Sequence, residues 1–427
     1  MAAIKASILR NWAPWLCAGA AFGFIAFVVV GSAYAADKNG LAIGGDCCSD
    51  LESRIAELEA TTARKSNRKV SLTIYGQVSE TLQYFSAPGF THTQVQSNAN
   101  RDQDTFVGFA GQAKIGPDAT AGFALEIEAG NFVNGAANPL AGGNDTNGMG
   151  TRQAFVYIKS ATIGGVAIGL QNDATYGITD LTGQSQDDLA STNIAHTKLS
   201  FRPIVGSGFL AFLADPWDGV RNDSLKYVSP EWAGFSLSAS WGDAINFNGS
   251  GSGAAQGSIW DVGVRFNKDV GAFRTQAALG YRDGTAIQDF SMFGGLGGLA
   301  IQDVKVFSGS AGVMHMPTGV FLNGSYGNLD LSSLFSGAPN NISAWEIQGG
   351  VEEKWTALGH TTIFAEYGQD RLTGLGLGTP TVYGLGVVQG IDPAAMSLFI
   401  SWQEWTQANS LVGGNISTVE AGAKVKF

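Results

Sequence analysis

Histidine and cysteine are scarce, at four and three residues in a chain of 427. His92, His196, His315 and His360 are scattered without metal-ligand spacing, and no cysteine cluster exists, so no metal and no cofactor is expected. A nucleophile elbow is missing as well. The glycine runs at 249–253, 294–298 and 374–378 lack the Lys-Ser/Thr of a phosphate cradle and read as loop tips. Catalysis is therefore not expected. Charged residues make up only 14% of the chain, and no stretch after Val30 approaches the ~20 apolar residues of a membrane helix. Low charge without apolar helices is odd for a soluble protein of this length. It suits a barrel whose outside faces lipid.

The first 35 residues read as an export signal. Lys5 and Arg10 give a positive start, residues 12–30 are almost wholly apolar, and Ala33-Tyr34-Ala35 places cleavage after Ala35. Its removal takes the 25 basic residues to 23 against 36 acidic, a net charge of −13. A nucleic-acid partner is excluded on that balance. The mature chain keeps Cys47 and Cys48. Export to an oxidising compartment allows a disulfide. A bond between neighbours is strained, which leaves an inter-chain bridge or free thiols.

A leader, residues 36–69, follows. Within it, residues 50–63 form the one convincing helix, with Leu51, Ile55 and Leu58 at i, i+4 and i+7 and charges on the other faces. That is a short coiled-coil seam.

From Val70 to Phe427 one pattern repeats: alternating apolar and polar residues, then a turn. Phe235-Ser-Leu237-Ser-Ala239-Ser-Trp241 and Trp260-Asp-Val262-Gly-Val264-Arg-Phe266 show it, and 417–427 closes the chain the same way. Successive strand side chains point to opposite faces. About eighteen such segments are readable. Short connections at 115–118, 203–206, 268–271 and 316–319 alternate with long ones at 85–101, 131–150, 242–257 and 328–341. Sorting by length, short turns at one end and long loops at the other, belongs to outer-membrane barrels. The fold expected is all-β: a transmembrane antiparallel β-barrel of 16–18 strands with the short N-terminal coiled-coil helix. Trp241, Trp260, Tyr281, Trp345, Trp355, Trp402 and Trp405 lie near segment ends, where an aromatic girdle would sit.

Carrying the alternation along each strand assigns inward side chains: His196, Lys198, Arg202, Lys226, Asp261, Arg265, Arg274 and Arg282. Glu126, Glu128, Glu346, Glu352, Lys354 and Glu366 follow by the same argument. On a soluble sandwich these would be a solvated face; in a closed barrel they line a lumen and set its ion preference. Residues 172–193 follow a strand and carry Asp173, Asp180, Asp187 and Asp188. As an exposed loop they would be unremarked. Folded into the lumen, they set carboxylates against Lys198, Arg202, Lys226, Arg265, Arg274 and Arg282.

The run from Gly45 through Cys47-Cys48 and the helix to Lys65, continuing over Asn67-Arg-Lys-Val-Ser-Leu-Thr-Ile-Tyr-Gly76, closely resembles the mature start of porins from rhizobial and related alphaproteobacteria. Arg152-Gln-Ala-Phe-Val156 and Asn222-Asp-Ser-Leu-Lys-Tyr-Val-Ser-Pro230 before Gly234-Phe235 are similar to strand motifs of general Gram-negative porins. Gly422, Val425 and Phe427 fit the C-terminal signal read by the barrel-assembly machinery. The resemblance implies a homotrimeric, passive diffusion pore for ions and small hydrophilic solutes, set in outer-membrane lipid and lipopolysaccharide. It also implies that the loop after the fifth strand folds inward as the constriction, the place that 172–193 occupies. Such porins have sixteen strands, so the surplus falls on the hairpin at 381–405 or on the count. Eighteen strands with a coiled coil are similar to some saccharide-selective porins, whose aromatic track would here have only Phe321, Phe364 and Phe399. A plugged barrel acting as an adhesin or an enzyme is the reading from another class.

Overall fold

The structure is a computed structural model. It describes residues 70–87, 90–97, 105–131, 147–179, 221–243, 245–246, 257–289, 299–330, 341–373, 379, 381–406 and 415–427. The signal with Ala35, Cys47, Cys48 and the seam of Leu51, Ile55 and Leu58 lie outside the described residues.

Alternation does produce strands. In chain order they are β1 (Thr73–Ala87), β2 (Phe90–Ser97), β3 (Phe106–Lys114), β4 (Ala119–Asn131), β5 (Asn147–Ser160) and β6 (Gly164–Asn172). Next come β7 (Arg221–Val228), β8 (Phe235–Asp243), β9 (Ile245–Asn246), β10 (Ser258–Val270), β11 (Phe273–Asp289) and β12 (Leu299–His315). The last are β13 (Val320–Asp330), β14 (Asn341–Thr356), β15 (Gly359–Thr373), β16 (Thr381–Ile391), β17 (Met396–Thr406) and β18 (Ile416–Lys426). The sheet closes where β1 pairs antiparallel with β18, from Gln77↔Lys426 to Ser86↔Ser417. Closure removes the free edges that an open sheet would leave unpaired in lipid.

Eighteen segments make a barrel of sixteen. β2 and β3 share one place beside β1: β2 pairs with Glu80–Ala87, and β3 with Thr73–Gln77. β9 is a two-residue parallel addition to β11. The hairpin at 381–405 is not surplus, since β16 and β17 are full barrel strands. The long loop expected over 85–101 is instead a hairpin, because β1 runs on to Ala87 and returns as β2.

Short turns collect at one end of the barrel. Residues 115–118, 161–163, 271–272, 316–319 and 357–358 each join two strands there, and Phe427 ends beside them. Phe427 and Gly76 exchange backbone hydrogen bonds of 2.9 and 3.0 Å, which tie the C-terminus to the start of β1. At the first of these turns Asp118 Oδ2 accepts the hydroxyls of Ser160 at 2.7 Å and Thr162 at 2.8 Å. The two hydroxyls hold this carboxyl below the usual carboxylate range. The clasp is therefore formed at neutral pH and lost as pH falls through that lowered value.

The outward face carries a continuous aromatic belt. Trp241 pairs with Trp260, Tyr281 with Phe307, Tyr326 with Trp345, and Tyr367 with Tyr383. Ring centroids 5.6 Å apart link Trp260 to Tyr281, 6.5 Å link Phe307 to Tyr326, 5.5 Å Trp345 to Tyr367, and 5.7 Å Tyr383 to Trp402. Amphipathic rings of this kind settle at a membrane interface. Trp355 sits at the opposite end, beside the turn at 357–358. Trp405 is not in the belt. It lies three residues past outward-facing Trp402, so the period of two turns it inward, where it is 0% exposed.

Between the belt and the short turns the outer wall is apolar. Leu237, Val264 and Leu279 stand side by side there, with Leu279 57% exposed. Leu279→Arg would place a charge in the hydrocarbon layer and should cost ~2–4 kcal/mol of barrel stability. Urea unfolding in lipid vesicles measures this; an unchanged midpoint would mean that Leu279 does not face lipid.

Candidate functional site

The chain leaves β6 at Asn172 and turns inward across the luminal faces of β8, β10, β11 and β12. Serines on the polar side of β8 receive it first. Ala174 N–H donates to Ser240 Oγ at 3.0 Å, and Ser238 Oγ donates to the Ala174 carbonyl at 3.0 Å. Thr175 N–H and Oγ1 both donate to Asp261 Oδ2, at 2.7 and 2.9 Å. Ser310 on β12 donates to the Ile178 carbonyl. Ala174, Ile178 and Thr179 are fully buried, so this segment is packed onto the wall.

Basic side chains complete the attachment. Arg282 Nη2 donates to Asp173 Oδ2 at 2.5 Å and to Thr175 Oγ1 at 2.7 Å. The Arg282 and Asp173 side chains are 4% and 2% exposed, so the ion pair is enclosed. Arg265 donates to the Ala174 carbonyl at 3.2 Å and to the Tyr176 carbonyl at 2.6 Å. Lys226 Nζ donates to the Asn172 carbonyl at 2.6 Å. Arg221 reaches Asn172 Oδ1 at 3.2 Å and the Tyr176 hydroxyl at 3.1 Å. Most of these charged donors answer carbonyl or carboxylate oxygens of the packed segment.

Two glycines make the approach possible. A Cβ on Gly263 of β10 would stand 2.6 Å from the Ala174 carbonyl oxygen. One on Gly280 of β11 would stand 2.9 Å from Thr175 Cγ2 and 3.1 Å from Ile178 Cγ1. Both face the lumen, in the register Gly263↔Gly280.

The expected inward residues divide by place. Asp173, Lys226, Arg265 and Arg282 converge on this loop root. Arg274 is also on the luminal face, near the short-turn end, 3.5 Å from Asp269 with both side chains exposed. Asp180, Asp187, Asp188, Lys198 and Arg202 lie outside the described residues, as do His196 and the turn expected at 203–206. Glu126 and Glu128 are buried on the luminal face of β4. Glu126 accepts Tyr75 Oη at 2.9 Å and is paired with Arg152, which a register shift in β5 turns inward. Glu346, Glu352 and Glu366 are buried on β14 and β15, while Lys354 is an exposed residue bonded to Asp392. Phe321, Phe364 and Phe399 pack with Met314 and Val388. Gly422 is inward against the Phe399 ring; Val425 and Phe427 are exposed.

The family model for Gram-negative porins matches residues 23–402. The chain belongs to the Gram-negative porin family. This porin is accordingly a channel protein of the bacterial outer membrane. No curated protein matches the chain. Among solved structures it is similar to the anion-selective porin from Comamonas acidovorans, at 15% identity and a TM-score of 0.56, over 84% of this chain and 100% of that one. It is also similar to the trimer form of in-vitro folded OmpT, an outer membrane protein of Vibrio cholerae, at 12% identity and TM-score 0.53, over 84% and 100%. Salmonella typhi OmpF in complex with daunomycin aligns at 14% identity and TM-score 0.51, over 83% and 97%. Identities this low carry the fold alone.

Among the described residues, Lys226, Asp261, Arg265, Arg274 and Arg282 lie on the inward face that parity assigns, while Ser238, Ser240, Gly263, Gly280 and Ser310 were missed as partners of the loop. The signal was visible. These small inward residues lie on four adjacent strands, β8, β10, β11 and β12, a local thinning of the wall that leaves space for another segment.

Proposed function

We propose that this porin is a passive, water-filled diffusion channel for ions and small hydrophilic solutes, of the alphaproteobacterial type that its N-terminal run resembles. It does no chemistry and needs no cofactor. Residues 172–193 form the constriction, with Asp173, Asp180, Asp187 and Asp188 as its acids and Lys198, Arg202, Lys226, Arg265, Arg274 and Arg282 as the basic wall. The protein works as a homotrimer in lipid and lipopolysaccharide, inserted through the barrel-assembly machinery by its C-terminal Gly422, Val425 and Phe427. The trimer form of Vibrio cholerae OmpT supports that assembly by fold analogy.

One observation carries the reading: the segment after β6 is bonded to the inside of the wall by side chains from β7, β8, β10, β11 and β12. A loop root fastened at that place narrows a lumen lined by charged and polar groups, and solutes are sorted there by size and field. Single-channel recording of the purified native oligomer in a planar bilayer tests it. Conductance steps that close in three linked levels are expected. Saturable block by sugars would favour a saccharide-selective pore. Silence from a folded, heat-modifiable barrel would mean a plugged lumen and an adhesin or enzyme.

A further inference from the structure

We infer that a hollow on the luminal wall of β5, β6 and β7 is a docking subsite for small organic monocarboxylates, those with a carbon body the size of benzoate; this rests on the reading of the chain as an open channel. The hollow has a volume of about 620 Å³ and lies between the loop root and the short turns. Tyr157 and Lys159 of β5, Gly165 and Ala167 of β6, and Lys226 and Val228 of β7 line it. They form two cross-strand rows, Tyr157↔Ala167↔Lys226 and Lys159↔Gly165↔Val228. Both rows face the lumen. Lys226 reaches the Asn172 carbonyl there, and Gln153, in phase with Tyr157, donates to luminal Glu126.

The hollow exists because of β6. Its inward positions here are a glycine and an alanine, so at most a methyl group stands between the side chains of β5 and β7. The two lysines flank that gap, ~10 Å apart across the sheet by strand spacing. The Tyr157 ring is held by the wall behind it. It lies across Gly122 of β4, where a Cβ would stand 2.4 Å from its Cζ. Phe155 continues the aromatic surface, with ring centroids 6.3 Å apart.

Lys159 Nζ stands 5.4 Å from the centroid of the Tyr157 ring. Among the described residues its ammonium meets only that ring, and the residue is exposed. A ring face attracts a cation without neutralising it. Lys226 uses one of its three donors on the Asn172 carbonyl. Asp173 and Asp261 also act on its charge, which leaves Lys159 as the principal anchor. Glu231, on the turn after β7, is the one carboxylate in the lining. Two lysines against one glutamate leave a single positive charge in excess, which suits a monoanion. Val228, Pro230 and the Tyr157 ring supply carbon surface. Sites of this make-up bury a carbon body and fix it by a few polar groups, here a charge-assisted hydrogen bond from Lys159 to the carboxylate. An inorganic anion would leave the carbon surface unused.

The test is block of the native oligomer in a planar bilayer by benzoate, with wild type, Lys159→Gln and Ala167→Leu. Acetate carries the head without the body, and benzyl alcohol the body without the charge. Benzoate should reduce the wild-type potassium chloride current saturably, at concentrations several-fold below those at which acetate or benzyl alcohol acts. Both variants should conduct as wild type in potassium chloride alone and need several-fold more benzoate for half-block. Ala167→Leu fills the hollow and leaves every charge in place, so it separates a shaped site from a general field. Equal half-block in wild type and both variants, or acetate as effective as benzoate, would overturn the inference. If Ala167→Leu does not assemble, Lys159→Gln and the acetate comparison still decide. Absence of current in folded wild type would instead overturn the open-channel reading. The docking is then decided by saturation-transfer NMR of benzoate on the same oligomer: loss of the signal in Lys159→Gln supports it, and an equal signal overturns it.

Discussion

Replacing Arg282 by methionine should release the loop root and raise the single-channel conductance of the oligomer. The guanidinium is enclosed with Asp173 and also bonds Thr175. Removing it takes the guanidinium from a buried carboxylate, and breaking a buried pair from one side costs ~3–5 kcal/mol. The segment can escape that cost by swinging Asp173 into water. The barrel cannot unfold as easily, because its strand ladder does not depend on the pair. The expected result is therefore a heat-modifiable barrel of normal mobility that conducts more than wild type. Combining Arg282→Met with Asp173→Asn removes both charges of the pair and should bring conductance back toward wild type, since the neighbouring Asp261 keeps its hydrogen bonds to Ser240 and Thr175. Conductance of Arg282→Met equal to wild type would mean that the pair does not hold the loop.

Much of this porin could be read from one period. Alternation in Phe235–Asp243 and Ser258–Val270 fixed which side chains face in, and Asp261, Arg265 and Arg282 are inward as parity requires. The short connections read at 115–118, 268–271 and 316–319 do fall at one end of the barrel, because tight joins are possible only between neighbouring strands. Three things were not legible. The β1–β2 hairpin hid because its exposed outward positions include Thr91 and Thr93, which read as loop. Trp405 was placed by proximity to Trp402 rather than by parity. Most contacts of the loop root were harder to read, for a deeper reason. Its anchors bind backbone carbonyls, as Arg265 does at Ala174 and Tyr176, and a carbonyl carries no residue-type signature.

What sequence does record of such an anchor is the absence of a side chain, which makes the glycines its most direct test. Gly263→Val should displace the loop root as strongly as the loss of Arg282, but by volume rather than charge. Even the first added carbon would lie 2.6 Å from the Ala174 carbonyl oxygen, which already accepts Ser238 at 3.0 Å and Arg265 at 3.2 Å. The nearest obstacle is a backbone oxygen, so no rotamer change relieves it. Overpacking of this kind costs ~1–3 kcal/mol if the site holds. Outward movement of the segment avoids that cost and gives up those hydrogen bonds. Gly280→Leu should act likewise, because its first carbon meets Thr175 and Ile178 at 2.9 and 3.1 Å. Gly309→Ala is the control. It lies on the outward face of β12, and its Cβ would meet the flexible tip of Leu279 at 2.7 Å, with the Ala278 carbonyl oxygen at 3.3 Å. Conductance should rise in the two luminal variants and stay at the wild-type level in the control. A rise in all three would point to general loosening of the wall. No rise in Gly263→Val would show that the Ala174 contact does not set the width of the pore.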